Sequence, residues 1–279
     1  MKKYLQQLFP VIIGKYLNAT AFIFPKYTGK KALAIFGTPR KGQIRVKDAA
    51  YLQTYTKQLL TYNNQTFATY YKGNGALKLM LVHGWESNSA RWQHLINYIE
   101  TIHNATYILI DAPAHGASEG TTFDSIQYAN YINVAYQQYQ PTVLIGHSIG
   151  AGSIAYCIHN VAKLPIQKLV LMASPNTFTE IINVYINIIK LNKRAQLALH
   201  QAIEQKYNLK STEYNVSNYV KNINTATIIV HDEEDEISPL INAHQIANNM
   251  KHGTLHITKG YKHGLQNKTV FEIIGNFLK

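Results

Sequence analysis

From residue 76 onward the chain alternates short runs of apolar, β-favouring residues with longer amphipathic stretches. Leu77 to Val82, Thr106 to Ile110, Thr142 to Ile145, Lys168 to Met172, Ala226 to Val230 and Thr254 to Thr258 read as strands. Their apolar runs leave no solvated face, so each is expected to be buried on both sides, as in a parallel sheet. Ser89 to Thr101, Phe123 to Tyr139, Ile149 to Val161, Ile241 to Asn249 and Lys268 to Leu278 carry helical periodicity between them. Strand, helix, strand order implies right-handed crossovers with helices over both faces, an α/β, doubly wound architecture. No repeat of solenoid or propeller period interrupts it.

Two regions break the rhythm. Residues 175–220, between the strand ending near Ala173 and the one starting near Ala226, are too long for a simple loop. Helical pattern over Ile181 to Leu199 marks them as a small helical lid. The first 64 residues carry turn signals at Pro25, Gly29, Thr38-Pro39 and Gly42 and a helical pattern over Asp48 to Leu60; Gln65 to Tyr71 then reads as an additional strand. The expected organisation is a basic N-terminal extension (1–64) packed on the core, a core of 65–174 and 221–279, and the lid at 175–220.

Composition narrows the class. With 279 residues, 46% apolar and 15% charged, the chain is neither a disordered tail nor a charged helical rod. The single cysteine, Cys157, closes no intrachain disulfide and offers no thiolate cluster for zinc, so a reducing cytoplasm is the expected location. The net charge of +12 is unevenly placed: residues 1–75 hold twelve Lys or Arg against one acid, Asp48. Such a zone reads as an anionic-membrane or nucleic-acid footprint or as a solubilising face. No recognition motif accompanies it, and no nucleic-acid partner is expected. No run of 18 apolar residues exists to span a bilayer. Met1-Lys2-Lys3 followed by Leu8 to Gly14 has the outline of an export leader, but Pro10 and Lys15 interrupt it and no small-residue cleavage site follows. The same stretch also reads as an interfacial helix, with Leu5, Leu8, Phe9, Ile12 and Ile13 apolar and Lys2, Lys3 and Lys15 available to lipid phosphates.

The sharpest chemical signal is Gly146-His147-Ser148-Ile149-Gly150, directly after one strand and directly before a helical pattern. A serine forced into a tight strand-to-helix turn needs glycine two positions to each side, and the turn exposes its Oγ at a helix N-terminus that favours negative charge. A serine hydroxyl needs a base, and the base an orienting carboxylate. Both are expected later in the chain, at the C-terminal edge of the sheet. His231-Asp232-Glu233-Glu234-Asp235-Glu236 follows one strand, and Lys259-Gly260-Tyr261-Lys262-His263-Gly264 follows the next. Of the twelve histidines, His256 falls inside a strand, His159, His200 and His244 on helical patterns and His147 in the serine turn, whereas His263 combines chain order, a loop and the sheet edge. The order is Ser148, then a carboxylate of the acidic loop, then His263. Cys157 sits on the helix behind Ser148 and reads as a buried hydrophobe.

These residues resemble the α/β-hydrolase superfamily, in its serine esterase and lipase-like branch with a short helical lid. Four segments carry the resemblance: His83-Gly84-Trp85, Asp111-Ala112-Pro113-Ala114-His115-Gly116-Ala117-Ser118, the turn around Ser148, and the Asp235 and His263 loops. It implies a mostly parallel sheet with the lid inserted after the sixth strand. Aligning Pro239 with the proline of the family's G-x-x-D-x-x-x-P loop puts Asp235, ahead of Asp232, Glu233 and Glu234, on the catalytic acid, with Asp232 at the family's glycine. Lys262 likewise stands where the family commonly has a glycine before its histidine. The implied oxyanion donors are the backbone amides of Trp85 and Ile149, with His83 bracing the oxyanion loop and Asp111 to Ser118 supporting the floor of the site.

The implied activity is hydrolysis of a carboxylic ester with a small or medium apolar acyl group, without metal or organic cofactor. Apolar lid positions Ile181, Ile182, Val184, Ile186 and Ile189 either roof an acyl pocket or pack the lid. The alternatives are a thioesterase or lipid-acting hydrolase docked on an anionic membrane through the basic zone, and a non-catalytic ligand-binding member of the same fold.

Overall fold

The structure, a computed structural model, describes residues 2–279, with side chains described from Phe9 onward. The calls on the side chains of Lys2, Lys3, Leu5 and Leu8 therefore lie outside what is described, as does Met1. The chain divides into a sheet unit, Pro39–Asn176 with Val216–Lys279, and a helical unit, residues up to Thr38 with Thr177–Asn215. The N-terminal region expected as one extension to residue 64 is thus split at Thr38 between the two.

The sheet unit is built on eight strands, β1 (Thr56–Tyr62), β2 (Gln65–Lys72), β3 (Leu77–Val82), β4 (Ala105–Ile110), β5 (Val143–His147), β6 (Lys168–Met172), β7 (Ala226–Asp232) and β8 (Gly253–Thr258), in the order β1-β2-β4-β3-β5-β6-β7-β8. β3 to β8 are parallel with one another, while β1–β2 and β2–β4 pair antiparallel. The helical pattern read over Asp48 to Leu60 is corrected here: the helix covers only Val46–Leu52, and Thr56–Tyr62 turns back on β2 as a hairpin. Asn63 and Asn64, both at positive φ, make the two-residue turn that matches strand twist.

In chain order the helices are α1 (Lys2–Ile23), α2 (Pro25–Gly37), α3 (Val46–Leu52), α4 (Gln93–Ile99), α5 (Ser125–Tyr139), α6 (Ile149–Tyr156), α7 (Phe178–Ile189), α8 (Lys193–Tyr207), α9 (Val216–Tyr219), α10 (Leu240–Asn248) and α11 (Lys268–Leu278). The pleat sends Leu79, Leu81, Val143, Ile145, Val170, Met172, Ile228 and Val230 to one face, where they pack with Leu95, Ile96 and Ile99 of α4 and Val270, Ile274 and Leu278 of α11. Burying each such side chain stabilises the unit by roughly 1.5–3 kcal/mol. α5, α6 and α10 pack against strands β4, β5 and β7. Helix ends are fixed locally: Asp124 Oδ1 accepts the Gln127 amide to start α5, and Gln140 in the left-handed region ends it.

The helical unit gathers α1, α2, α7 and α8 around Leu17, Ala21, Leu33, Ile182, Ile186, Ile189, Leu199 and Ile203. Backbones approach closely: a Cβ on Gly14 would lie 1.5 Å from the Ile189 carbonyl oxygen. The Asn18 side-chain amide donates to the Lys190 carbonyl at 2.9 Å and accepts the Asn192 amide at 2.7 Å, pinning the turn between α7 and α8. The single pattern read over Ile181 to Leu199 is therefore two helices. Of the five apolar positions expected in a lid, Ile182, Ile186 and Ile189 pack this unit's own core and Val184 is exposed.

Candidate active site

Four loops at the C-terminal ends of β3, β5, β7 and β8 carry the residues singled out by the sequence, because parallel strands deliver all their following loops to one edge. At the end of β5, Ser148 adopts φ 55°, ψ −129°, a left-handed conformation that costs energy for a residue with a Cβ. Its amide is anchored on the Met172 carbonyl at 2.8 Å. The flanking glycines are required by contact: a Cβ on Gly146 would lie 2.6 Å from Ala151 Cα, and one on Gly150 2.5 Å from the carbonyl oxygens of Val82 and His83.

Ser148 Oγ lies 2.9 Å from His263 Nε2, and His263 Nδ1 lies 2.8 Å from Asp235 Oδ2. The carboxylate accepts the Nδ1 proton, which leaves Nε2 as the acceptor for the serine hydroxyl. Asp235 Oδ1 accepts the amides of Ile237 and Ser238, both at 2.9 Å. Burial alone would push the Asp235 carboxyl up, but its bonds from His263, Ser238 and Ile237 outweigh this and hold it below the usual carboxylate range. Among the competing acids, Glu233 pairs with Lys259 at 2.6 Å on the surface, and Glu234 is exposed.

Asp232 has a different task. Its Oδ2 accepts the Tyr261 amide at 3.0 Å and the Thr258 hydroxyl at 2.8 Å, and its Oδ1 accepts the Glu234 amide at 3.1 Å. The acid thus ties the start of the His263 loop to the Asp235 loop. Two further donors hold that loop by its carbonyls: His147 Nε2 donates to the His263 oxygen at 2.8 Å, and Arg91 Nη2 to the Gly264 oxygen at 3.1 Å.

The β3 loop passes directly against the serine. A Cβ on Gly84 would lie 2.9 Å from Ser148 Cβ and 3.2 Å from His147 Nδ1, which leaves the Gly84–Trp85 peptide beside the serine turn. His83 Nδ1 donates to the Gly84 oxygen at 2.7 Å and its Nε2 accepts the Ala112 amide at 3.0 Å. This assignment makes the ring neutral, and full burial lowers its pKa well below the ordinary histidine value. His115 Nε2 accepts the Glu86 amide at 3.0 Å, and the Trp85 indole packs edge-on against His115 and Phe123. Beneath them the buried Asp111 accepts Ser89 N and Oγ, Ala117 N and the Tyr70 hydroxyl at 2.7–3.1 Å.

The profile of the alpha/beta hydrolase fold family matches residues 79–195. The pimeloyl-[acyl-carrier protein] methyl ester esterase of Pectobacterium atrosepticum is 30% identical over 109 residues, 39% of this chain and 41% of that protein, so less than half of the relative's length is matched. An esterase from Exiguobacterium antarcticum superposes with a TM-score of 0.60 at 17% identity, covering 80% of this chain and 99% of the other. A thioesterase domain from the curacin biosynthetic pathway gives 0.59 at 16% identity, over 81% and 99%. The chain has the α/β-hydrolase fold, and its residues 79–195 match that family's profile.

Three polar partners of the site carried no sequence signal of their own. Arg91 and the His147 ring act across contacts between distant segments, whereas His231 acts within its own loop, its Nε2 donating to the Ser238 oxygen at 2.7 Å and lying 3.5 Å from Asp235 Oδ2. Cys157 is buried on the α6 side of the sheet, and burial pushes its thiol up to about 12. Among the described residues no group of three His, Cys, Asp or Glu side chains is placed to hold a metal ion.

Proposed function

We propose that this hydrolase cleaves a carboxylic ester with a small or medium apolar acyl group by a serine acyl-enzyme mechanism. The observation that carries the reading is the unbroken hydrogen-bond chain from Ser148 Oγ through the His263 ring to Asp235. Ser148 attacks the ester carbonyl as His263 Nε2 takes the hydroxyl proton, and Asp235 stays ionised to stabilise the imidazolium. The amides of Trp85 and Ile149 receive the tetrahedral oxyanion, a contribution of about 3 kcal/mol from such donors. The intermediate collapses, the alkoxide leaves with the His263 proton, and the acyl group remains on Ser148. Water, deprotonated by His263, then attacks the acyl-enzyme, and collapse releases the carboxylic acid and restores the serine.

The printed activity of the partly matched relative, a methyl ester esterase, supports an ester substrate over an amide. The depressed Asp235 pKa keeps its carboxylate charged across neutral pH, as the role requires. A panel of p-nitrophenyl esters of increasing chain length tests the reading, with Ser148→Ala beside the wild type. Wild-type turnover that peaks at short or medium chains and falls by about 10³-fold or more in the variant is expected. Equal product release by both proteins contradicts it and leaves the non-catalytic binding role.

A further inference from the structure

The helical unit presents an apolar surface that its own core leaves uncovered. Phe9, Ile12, Tyr16 and Ile23 of α1 are 65%, 60%, 47% and 73% exposed. At 100° per residue they fall within about 60° of arc and extend over about 21 Å of helix, a continuous stripe. The buried face of the same helix, carrying Leu17 and Ala21, points elsewhere. The stripe runs into the α1–α2 corner, where Phe24 and Tyr27 are 59% and 51% exposed. The Tyr16 and Tyr27 hydroxyls, 3.3 Å apart, join stripe and corner.

The charges around this surface are of one sign. Lys15 on α1 and Lys26, Lys30 and Lys31 on α2 are exposed, and the Arg194 guanidinium stands 4.6 Å over the Phe22 ring. No acidic residue precedes Asp48, and the unit as a whole has eleven Lys or Arg against three Glu, a surplus of eight. Exposed aromatic and aliphatic groups with long cationic side chains beside them match the boundary of a bilayer, where rings enter the headgroup region and ammonium groups meet lipid phosphates. A protein partner would need matching acids set around an apolar face, whereas an anionic lipid surface supplies negative charge at every position of the corner.

We infer that the α1–α2 corner is a docking surface for anionic lipid bilayers. The inference is independent of the ester chemistry: it predicts the same membrane binding for Ser148→Ala as for the wild type, so failure of either idea is seen separately.

Flotation of the full chain with vesicles of phosphatidylcholine alone, or mixed with phosphatidylserine, tests it. Wild type is expected to float with the anionic vesicles at low salt, at least about tenfold more than with neutral ones, and to be released as salt screens the lysines. Lys26→Gln with Lys30→Gln and Lys31→Gln should lose most of that binding, and Ile23→Ser with Phe24→Ser should weaken it at every salt concentration. Circular dichroism melting and turnover of a soluble ester verify that the variants fold, and the wild-type salt titration stands without them. Wild type that ignores anionic vesicles, or a triple-lysine variant that binds like wild type, overturns the proposal. So does light scattering that shows a dimer dispersed by Ile23→Ser with Phe24→Ser in a chain that binds no vesicles, since the stripe is then covered by a second copy.

Discussion

The sheet unit and the helical unit place their polar groups in opposite ways. Asp111, Asp232, Asp235, His83, His115, His147 and His231 are all buried in the sheet unit, each held by hydrogen bonds from loops at the strand ends. Among the described residues the helical unit buries no Asp, Glu, His, Lys or Arg side chain; its core is Leu, Ile and Ala, and its lysines lie in solvent. Burying a charge costs several kcal/mol unless partners are built around it, so the buried acids and imidazoles mark where structure is maintained for chemistry. The helical unit carries no such cost, and its uncommon feature is an exposed apolar stripe among cations.

Changes at the buried polar groups should therefore cost activity, and changes at the surface of the helical unit should not. Asp235→Asn has the largest expected effect. It alters the hydrogen bonding that sets the His263 tautomer and removes the charge facing the imidazolium, so kcat on a soluble ester should drop by about 10⁴-fold. A drop of less than tenfold would mean that another acid orients His263.

Asp232→Asn comes next. The side chain keeps its size but loses the charge that accepts the Tyr261 amide, and stability should fall by about 1–3 kcal/mol in urea unfolding. Activity should fall by a smaller factor than in Asp235→Asn. If the two variants lose equal activity, Asp232 does more than hold the loop.

Acid should weaken the sheet unit first. Burial lowers the pKa of His83 and His147 well below the ordinary value, so the unfolded chain binds protons that the folded one refuses. The stability this provides is complete above about pH 6.5 and declines as pH falls below it. Asp232 and Asp235, both with lowered pKa values, add a second decline as pH falls through and below about 4, the range where the unfolded carboxylates take up protons. For Asp232 as for Asp235, burial acts upward and the hydrogen bonds to the carboxylate prevail. Melting temperatures at pH 8, 6 and 5 should fall in that order; a flat profile would contradict the neutral, buried assignment of the histidines.

Gly14→Ala probes the helical unit alone. The added Cβ would collide with the Ile189 carbonyl and should cost about 1–3 kcal/mol of stability, read as a lower melting temperature. Exposed Lys30→Gln is the smallest case, expected within about 0.5 kcal/mol of wild type.

The parallel sheet was legible because most of its six strands are largely apolar runs separated by helical periodicity; the exception is β8, whose Thr-Leu-His-Ile-Thr lies half exposed at the sheet edge, so the expectation that all six are buried on both faces fails there. The serine turn was legible because its chemistry is local: two glycines, a serine, a strand before and a helix after. Where two signals overlapped, the sequence misled. Thr56 to Leu60 was absorbed into a helical pattern, whereas Asn63 and Asn64 turn this stretch back on β2 as a hairpin. Pro25 and Gly29 read as turn signals, yet Pro25 opens α2, where its missing N–H costs nothing, and Gly29 lies within α2 because the backbone of Ala198 passes against it. The roles of Arg91, His147 and Asp232 had no local signature: they serve the His263 loop across separations that only the folded sheet closes.

The central claim is that Ser148 is made reactive by His263, and a fluorophosphonate probe followed by peptide mapping tests it most directly. The account predicts a single adduct on the Ser148 peptide at neutral pH, lost in His263→Ala while circular dichroism shows that the variant is folded. Turnover of an ester by protein that carries no adduct on Ser148, or equal labelling of His263→Ala, would contradict it.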